Sequence, residues 1–225
     1  MQTLFMLYIG IFLLSSPSHA LERSTIRKLT MNNHQALEYK EVKLILFSTV
    51  DNNHGIVCSV YTPTQCQDRY YKPPKNKSRE YFKLNIEHTW PQSKGAKELP
   101  ANSDMHHLFV TSKESNSKRA NLPFCNAEYD YWQMDGSIQG FDEYSQDCFE
   151  PQDNHKGNVA RAMFYFSIRY ERSIDMYQEQ VLREWNELDP VDQREVSRNK
   201  LIKKIQGNSN PFITNLKLVH LIKDF

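Results

Sequence analysis

This 225-residue chain has no excess of charge of one sign, no second long apolar run and no internal repeats. Its 28 Lys and Arg nearly balance 27 Asp and Glu, and the net charge of +1 excludes a whole-protein field that attracts polyanions. Any polyanion site must therefore be a local basic patch. No segment after residue 20 is apolar enough to span a membrane, and no linker divides the chain, so we expect one domain without membrane contact.

The first 20 residues contain an apolar run that is too short for a membrane span. The run from Leu4 to Leu14 leads into Ser18-His19-Ala20, an A-x-A-like cleavage site, although no Lys or Arg precedes it. This pattern predicts a signal peptide over residues 1–20 and a periplasmic or secreted protein. Residues 21–225, roughly 205 residues, are within the size range of a single domain.

Four cysteines follow the predicted signal peptide: Cys58, Cys66, Cys125 and Cys148. An even number in an exported chain indicates two disulfides, for which three pairings are possible. We favour Cys58–Cys66 and Cys125–Cys148, because each pair closes a loop bounded by turn-forming residues. A metal site is the alternative, but no Cys-x-x-Cys pair is present.

Helical periodicity dominates both ends of the chain. Residues 22–48 have helical spacing with a break near residues 31–33, and a short buried strand over residues 42–46 is the alternative. Three further helices are predicted at about 157–170, 176–188 and 192–205. In the first of these, Val159, Ala162, Met163, Phe166 and Tyr170 form the expected buried stripe, with Arg161, Tyr165, Arg169 and Arg172 on the other faces.

Two other segments have no helical pattern. Residues 72–83 are basic and interleaved with aromatic residues, which fits either a phosphate-contacting face or a solvated loop followed by a strand. Residues 122–151 are acidic and predicted to be mostly irregular, with the second cysteine pair holding them together.

The stretch from Asn85 to Asn121 concentrates the chemistry-bearing side chains. Glu87 and His88 end a β-like run that begins at Tyr81, and a second apolar run covers residues 108–110. Residues 111–114, Thr-Ser-Lys-Glu, have the spacing of a helix capping box, so a helix carrying Asn116 and, one turn later, Arg119 should follow. Strand, loop, strand and helix are thus expected close together.

These residue types suit hydrolysis of a phosphodiester. Histidine is the natural base near neutral pH, and carboxylate and amide oxygens are hard ligands suited to Mg²⁺. A regular strand would direct Glu87 and His88 to opposite faces, so one shared site requires the strand to end or bulge there. Pro91, three residues on, favours an ending.

The chain resembles the bacterial endonuclease I family of the ββα-metal (His-Me finger) group. The matching pieces, in the family's order, are Glu87-His88-x-x-Pro91, Ser103–Leu108, Asn116-x-x-Arg119-x-Asn121, Gly157–Tyr165 and Gln206–Phe212. The resemblance implies an α+β, mostly helical domain around a ββα-metal core at about residues 81–121, with a small antiparallel sheet.

The resemblance also implies a function. His88 would be the general base, and Glu87 and Asn116 would hold one Mg²⁺, for which Mn²⁺ or Ca²⁺ can substitute. The implied reaction is sequence-nonspecific hydrolysis of single- and double-stranded DNA, and of RNA, to 5′-phosphate products. The protein would contact the nucleic acid through its phosphate backbone and would act as a monomer.

Two departures from the family pattern matter. The family's Asp-x-His-Asn-Leu reads Asp104-Met105-His106-His107-Leu108, and no arginine occurs in the loop over residues 89–102. Where relatives place a transition-state arginine in that loop, Arg119 is the candidate catalytic cation here, one helical turn from Asn116, with Arg161 in reserve. An ordinary structural ion pair fits both residues at least as well. The remaining expectations concern five residues. Lys118 and Arg161 should bind substrate, and Asp104, His106 and Asn121 should hold the catalytic residues in place without contacting substrate.

The same departures from the family pattern motivate an alternative function. The chain could be a nucleic-acid-binding or uptake protein that has the same fold and little catalytic activity. A zinc hydrolase built on His88, His106 and His107 is a third hypothesis. It ranks low because the three histidines lack the helical H-x-x-x-H spacing.

Overall fold

The computed structural model of the protein describes residues 18–68 and 83–225 and has the expected α+β fold. Its helices are α1 (Ser18–Met31), α2 (Tyr39–Ile45), α3 (Lys113–Arg119), α4 (Lys156–Tyr170), α5 (Met176–Leu188), α6 (Gln193–Gln206), α7 (Pro211–Thr214) and α8 (Leu218–Leu221). Its strands are β1 (Asn52–Asn53), β2 (Ile56–Cys58), β3 (Cys66–Asp68), β4 (Leu84–His88), β5 (Leu108–Ser112), β6 (Tyr129–Met134), β7 (Ser137–Phe141) and β8 (Asp147–Glu150).

The strands form three small antiparallel sheets rather than one. Their orders are β1-β2-β3, β4-β5 and β6-β7-β8. Helix α2 continues into a single π-helical turn, Leu46–Val50, so the strand alternative over residues 42–46 is wrong. The apolar run of the predicted signal peptide and most of the basic, aromatic segment at 72–83 lie outside the described residues. None of the helices in the described part of the chain has the length and apolar character that a bilayer crossing requires.

Helix α4 is buried on all sides, because α1, α5 and α7 pack around it. The predicted buried stripe is present, but Arg161, Tyr165 and Arg169 are buried as well, which contradicts the one-sided prediction. Each buried arginine has an anionic partner: Glu195 for Arg161 and Asp104 for Arg169. Buried cations that are paired in this way are tolerated, so polar residues do not mark the solvent face of this helix.

Residues 122–151 are not irregular, as the sequence suggested, but form the sheet β6-β7-β8. A turn at Asp135 and Gly136, both with positive φ, joins β6 to β7, and Asp-Gly is a strong hairpin signal that the prediction overlooked. The disulfide Cys125–Cys148 ties β8 to the preceding segment, and Cys58–Cys66 links β2 to β3. Both predicted pairings are confirmed.

The hairpin β4–β5 and helix α3 form the expected strand, loop, strand and helix unit. Leu84, Ile86, Leu108 and Val110 pack on one face, in a core cluster shared with α2 and α6. The helix cap lies one residue later than predicted, because Ser112 accepts the hydrogen bond from the N–H of residue 115. The loop between the strands contains three short 3₁₀ turns, Gln92–Lys94, Ala101–Ser103 and Met105–His107, and the last two flank Asp104.

Candidate active site at the outer edge of strand β4

The outer edge of β4 is where the predicted site residues meet. Backbone hydrogen bonds alternate along an antiparallel pair, and the N–H of Thr89 donates to the carbonyl of His107. In this register the odd-numbered residues of β4 bond to β5, so the backbone polar groups of Ile86 and His88 point to the outer edge. Asn116 Nδ2 on α3 donates to the Ile86 carbonyl at 3.0 Å. Helix α3 therefore reaches the hairpin at this edge.

Glu87 and His88 leave opposite faces of the strand, as regular β geometry requires. Glu87 is in register with Phe109, and His88 is in register with the core residue Leu108. The strand ends at His88 and contains no bulge, and the hairpin has only two strands, so no third strand covers the outer edge between the two faces. A site shared by Glu87 and His88 would therefore have to span this outer edge.

The Glu87 carboxylate is buried and only partly compensated. The Tyr61 hydroxyl donates to Oε1 at 3.1 Å, and Arg119 Nε lies 3.2 Å from the same oxygen. Burial outweighs the lowering by Arg119, the Tyr61 hydroxyl and the His88 backbone N–H, and the pKa of Glu87 is raised to about 7. Because burial prevails, the surroundings supply too little positive charge to hold the carboxylate fully ionised.

Arg119 does not extend toward a substrate, which corrects its prediction as the replacement for the loop arginine. Its side chain is 1% exposed. Nη2 donates to the Thr89 carbonyl at 2.8 Å, Nη1 donates to the Ala120 carbonyl at 2.9 Å, and the guanidinium lies 4.5 Å from the ring centroid of Phe124. Arg119 is therefore a positioning residue that holds the Glu87 carboxylate.

The Asn116 amide has a fixed orientation. Nδ2 donates to Asn85 Oδ1 at 2.9 Å as well as to the Ile86 carbonyl, which uses both amide hydrogens. Oδ1 must then face the opposite way, as an acceptor. Asn85 belongs to the same strand face as Glu87, two residues earlier, and sequence alternation could have identified it.

His88 is held as a neutral imidazole with a defined tautomer. Nε2 lies 3.0 Å from the Asn102 carbonyl, which can only accept, so Nε2 carries the proton and Nδ1 carries the lone pair. Burial first, and His107 second, lower the pKa of His88 to about 3, although the hydrogen bond to the Asn102 carbonyl acts in the opposite direction. The Tyr39 and His107 rings lie 5.5 and 5.6 Å from the His88 ring, centroid to centroid. A neutral Nδ1 is the form that accepts a proton.

Asp104 organises the loop behind His88. It is fully buried and accepts hydrogen bonds from Tyr165 at 2.7 Å, Tyr170 at 2.8 Å and Gln206 at 2.8 Å. It also pairs with Arg169 at 3.1 Å. Asp104 therefore fixes the two flanking 3₁₀ turns through α4 and α6, and not through contact with His88.

The three histidines of the zinc hypothesis bind three different carbonyl oxygens through Nε2. His106 lies 3.1 Å from the Asn208 carbonyl, and His107 lies 2.7 Å from the Ala101 carbonyl. Across residues 18–68 and 83–225, no group of three or more His, Cys, Asp or Glu side chains is placed to hold a metal ion. The zinc hypothesis is therefore wrong.

Three further predicted residues lie away from the edge or contribute little to it. Arg161 is 1% exposed and pairs with Glu195 through Nε at 2.8 Å and Nη2 at 2.6 Å, so it is a structural ion pair and not a substrate ligand. Asn121 is exposed, and Ala120 rather than Asn121 caps α3. Lys118 is half-buried on α3. Tyr61, which contacts Glu87, was missed because no local pattern connects it to the central stretch.

Known proteins similar to this chain are nucleases. The chain is 32% identical over 214 residues to the extracellular ribonuclease of Bacillus subtilis, covering 85% of this chain and 70% of the relative. It is 36% identical over 150 residues to the extracellular ribonuclease of Bacillus amyloliquefaciens (57% and 50%) and 34% identical over 111 residues to an extracellular deoxyribonuclease of Aeromonas hydrophila (49% and 48%). The chain spans about half the length of the latter two relatives.

The hairpin with its trailing helix, together with these relatives, defines the class as phosphodiester-hydrolysing nucleases. The profile of the family described as Endonuclease I matches residues 23–217. The chain belongs to the endonuclease I family, whose nucleases are in general metal-dependent.

Proposed function

We propose that this protein is an exported, Mg²⁺-dependent endonuclease that cuts DNA and RNA without sequence preference and leaves 5′-phosphates. One observation supports the proposal: a buried carboxylate and a neutral imidazole end β4, and the amide of an α3 side chain is oriented by hydrogen bonds to the same strand. These are Glu87, His88 and Asn116. The ribonuclease and deoxyribonuclease names of the relatives support both substrates.

The residues present fit a small divalent cation. The Tyr61 and Arg119 contacts both fall on Oε1, and the His88 N–H supplies a third hydrogen bond, so the Glu87 carboxylate keeps lone pairs with which it would bind a cation, with Asn116 Oδ1 as the second ligand. Mg²⁺ takes hard oxygen ligands and needs only one or two from the protein, and Mn²⁺ or Ca²⁺ has similar requirements. When bound, the cation stabilises charge on the phosphate and on the leaving 3′ oxygen. Its charge would also compensate the carboxylate that burial leaves under-neutralised.

His88 supplies the proton transfer. Nδ1 takes a proton from a water molecule as that water attacks phosphorus, and the proton remains on the imidazole while Nε2–H stays bonded to the Asn102 carbonyl. The carbonyl fixes the ring before the reaction and favours the imidazolium that forms. Gln92 Nε2 lies 3.2 Å from Nε2 and 3.4 Å from Nδ1 of the His88 ring, and this contact helps to orient the ring.

Substrate contact through the backbone follows from the absence of a base-reading motif in the sequence. Export is supported by the apolar N-terminal run and by relatives that are named extracellular or periplasmic. We propose that the protein acts as a monomer.

The test is digestion of plasmid DNA and of RNA by the oxidised protein, with Mg²⁺ and with chelator. His88→Ala should lower cleavage about 10²- to 10⁴-fold, the contribution of a general base. His220→Ala, at an exposed histidine, is the matched control and should cut normally. Full activity in His88→Ala would contradict the assigned base.

A second variant tests the cation site. Glu87→Gln keeps the size of the side chain but loses its charge, so calorimetry should detect no Mg²⁺ binding where the unaltered protein binds it. Nucleic-acid binding without cleavage under any divalent ion would instead favour the binding or uptake protein.

A further inference from the structure

The disulfide Cys58–Cys66 closes a loop, here called the disulfide loop, that is hydrogen-bonded to two of the sheets. The N–H of Val60 donates to the carbonyl of Val110 on β5 at 3.0 Å. On the other side, Ser137 Oγ on β7 donates to the carbonyl of Tyr61 at 2.7 Å. The disulfide loop is therefore held against the hairpin that carries the candidate site.

Tyr61 extends from this loop to the Glu87 carboxylate. Its side chain is fully buried, and its ring packs against Phe149 at 4.9 Å and His155 at 5.7 Å, centroid to centroid. A phenylalanine ring could make the same contacts, so the packing does not require the hydroxyl. A buried hydroxyl needs a hydrogen-bond partner, and this one donates to Glu87 Oε1 at 3.1 Å. The Tyr61 hydroxyl is thus directed at a proposed cation ligand.

Two further hydroxyls of the loop reach the start of α3. Ser59 Oγ accepts the backbone N–H of Ser112 at 3.0 Å and lies 3.1 Å from Thr111 Oγ1. Thr62 Oγ1 donates to Ser112 Oγ at 3.0 Å, and all four side chains are buried. Because Ser112 is the cap of α3, the loop fixes both the backbone and the side chain of the residue at which this helix begins.

The helix cap is linked directly to Asn116. Ser112 Oγ accepts the N–H of Ser115 at 3.1 Å and lies 2.7 Å from Ser115 Oγ, and Asn116 is the next residue in the chain. Helix α3 has only seven residues, and so short a helix depends on contacts that fix its ends. The position of the Asn116 amide beside β4 therefore depends on contacts that begin in the disulfide loop.

We propose that the disulfide loop positions both proposed cation ligands at once. The Tyr61 hydroxyl fixes the Glu87 carboxylate. The hydroxyls of Ser59 and Thr62 fix the beginning of the helix that carries Asn116. Mg²⁺ is strict in its coordination geometry, so its affinity depends on ligands that are held at a defined separation. The role of Glu87 and Asn116 as ligands rests on the proposed function, whereas the contacts of the loop do not.

The first experiment measures Mg²⁺ binding by calorimetry in the absence of nucleic acid. Tyr61→Phe removes only the hydroxyl and should weaken Mg²⁺ affinity about 10- to 100-fold, the scale for loss of a group that orients a metal ligand. Tyr131→Phe is the matched control, because the Tyr131 hydroxyl also donates to a carboxylate, Asp147, but at an exposed position. The control should bind Mg²⁺ normally. Unchanged Mg²⁺ affinity in Tyr61→Phe would contradict the role of its hydroxyl.

Cleavage kinetics separate a positioning role from a purely structural one. In Tyr61→Phe the Mg²⁺ concentration that gives half-maximal cleavage should rise by the same factor as the dissociation constant, while the KM for DNA stays unchanged. A lower resistance to urea with an unchanged Mg²⁺ requirement would show that the Tyr61 hydroxyl only stabilises the fold, and would overturn its positioning role.

The second experiment needs no metal and follows hydrogen exchange of the Asn116 side-chain amide by ¹⁵N NMR. Thr62→Val removes the hydroxyl with little change of shape and should speed this exchange about fivefold, the worth of one hydrogen bond. Thr64→Val is the matched control in the same loop, because the Thr64 hydroxyl donates to Asp135 and not to the α3 cap. Unchanged exchange in Thr62→Val would refute the link between the loop and α3.

The exchange measurement also decides the role of the loop if Tyr61→Phe does not fold. Faster exchange in Thr62→Val, in a protein that binds no Mg²⁺ and never cleaves, would refute the proposed function and leave the positioning role of the loop intact. Normal Mg²⁺ binding and normal exchange in both variants would refute the positioning role and leave the proposed function intact.

Discussion

Arg119 faces inward onto Glu87, with its Nε atom 3.2 Å from Oε1 and both side chains almost completely buried. A buried guanidinium that is paired in this way neutralises the Glu87 carboxylate and is not available to a substrate phosphate. Its other nitrogens bind backbone carbonyls, which fixes the ion pair relative to the end of β4 and to α3. The relationship yields the first prediction.

Arg119→Met should destabilise the protein by about 3–5 kcal/mol, because it leaves a buried carboxylate without its cation. Urea unfolding measures the change, with Lys118→Met on the same helix as the control. The control should change stability little, since Lys118 is only half-buried. A weakened substrate affinity with unaltered stability would mean that Arg119 binds phosphate after all.

Asp104 makes the free energy of unfolding depend on pH in the acidic range. Although burial raises its pKa, His106, Arg169 and His34 together hold the pKa of Asp104 well below its ordinary value of 3.8. A depressed carboxyl pKa contributes stability above the unfolded-state pKa and loses it as pH falls below that value. Asp104→Asn should therefore cost about 3–5 kcal/mol at pH 7, with Arg169 left unpaired, and the difference should shrink below about pH 3.8. A difference in unfolding free energy that stays constant between pH 7 and pH 3 would argue against this.

His107 should act through the turn that orients His88. Its Nε2 donates to the Ala101 carbonyl at 2.7 Å, next to the Asn102 carbonyl that holds the base. In His107→Ala, kcat should fall about a hundredfold, the scale of a misplacement of about 1 Å, with little change in KM. The pH profile should also shift upward, because His107 lowers the pKa of His88. His220→Ala should leave both quantities alone, and a kcat unaffected by His107→Ala would exclude a positioning role.

The Cys125–Cys148 bridge closes a loop of 23 residues. Replacing both cysteines by serine should lower the free energy of unfolding by about 3 kcal/mol, as loop-closure entropy predicts. The same change at Cys58 and Cys66, eight residues apart, should cost less. Equal losses from the two double variants, measured by urea unfolding, would show that loop length does not set the effect.

Local patterns in the sequence predicted those parts of the site that lie on one continuous stretch of the chain. Period-two alternation and the hydroxyl-rich segment before α3 predicted the hairpin and its helix, because backbone geometry follows from near neighbours. Helices α4, α5 and α6 were predicted within a residue or two for the same reason, whereas the short helices α7 and α8 were not predicted. The Asp135-Gly136 hairpin was also visible locally but was overlooked.

Contacts between distant parts of the chain could not be predicted. The partners of Arg161, Asp104 and Glu87 lie 34, 61 and 26 residues away, in Glu195, Tyr165 and Tyr61. A buried, paired arginine and an exposed, substrate-binding arginine look identical in sequence, because tertiary packing alone distinguishes them. That is why Arg119 is predicted as a catalytic cation and Arg161 as a substrate ligand, whereas both side chains are internal.

The outer edge of β4 could pair with a strand of another copy, and the Asn116 side chain prevents this. An unpaired strand edge is a template on which another copy can add a strand and begin to aggregate. Asn116 occupies the outward carbonyl of Ile86, so the amide that we assign to the cation also blocks that template. The residues along this edge are themselves buried, with Ile86 6% and Glu87 2% exposed, so the part of the chain that supplies the proposed cation ligand also keeps the strand from pairing with another copy.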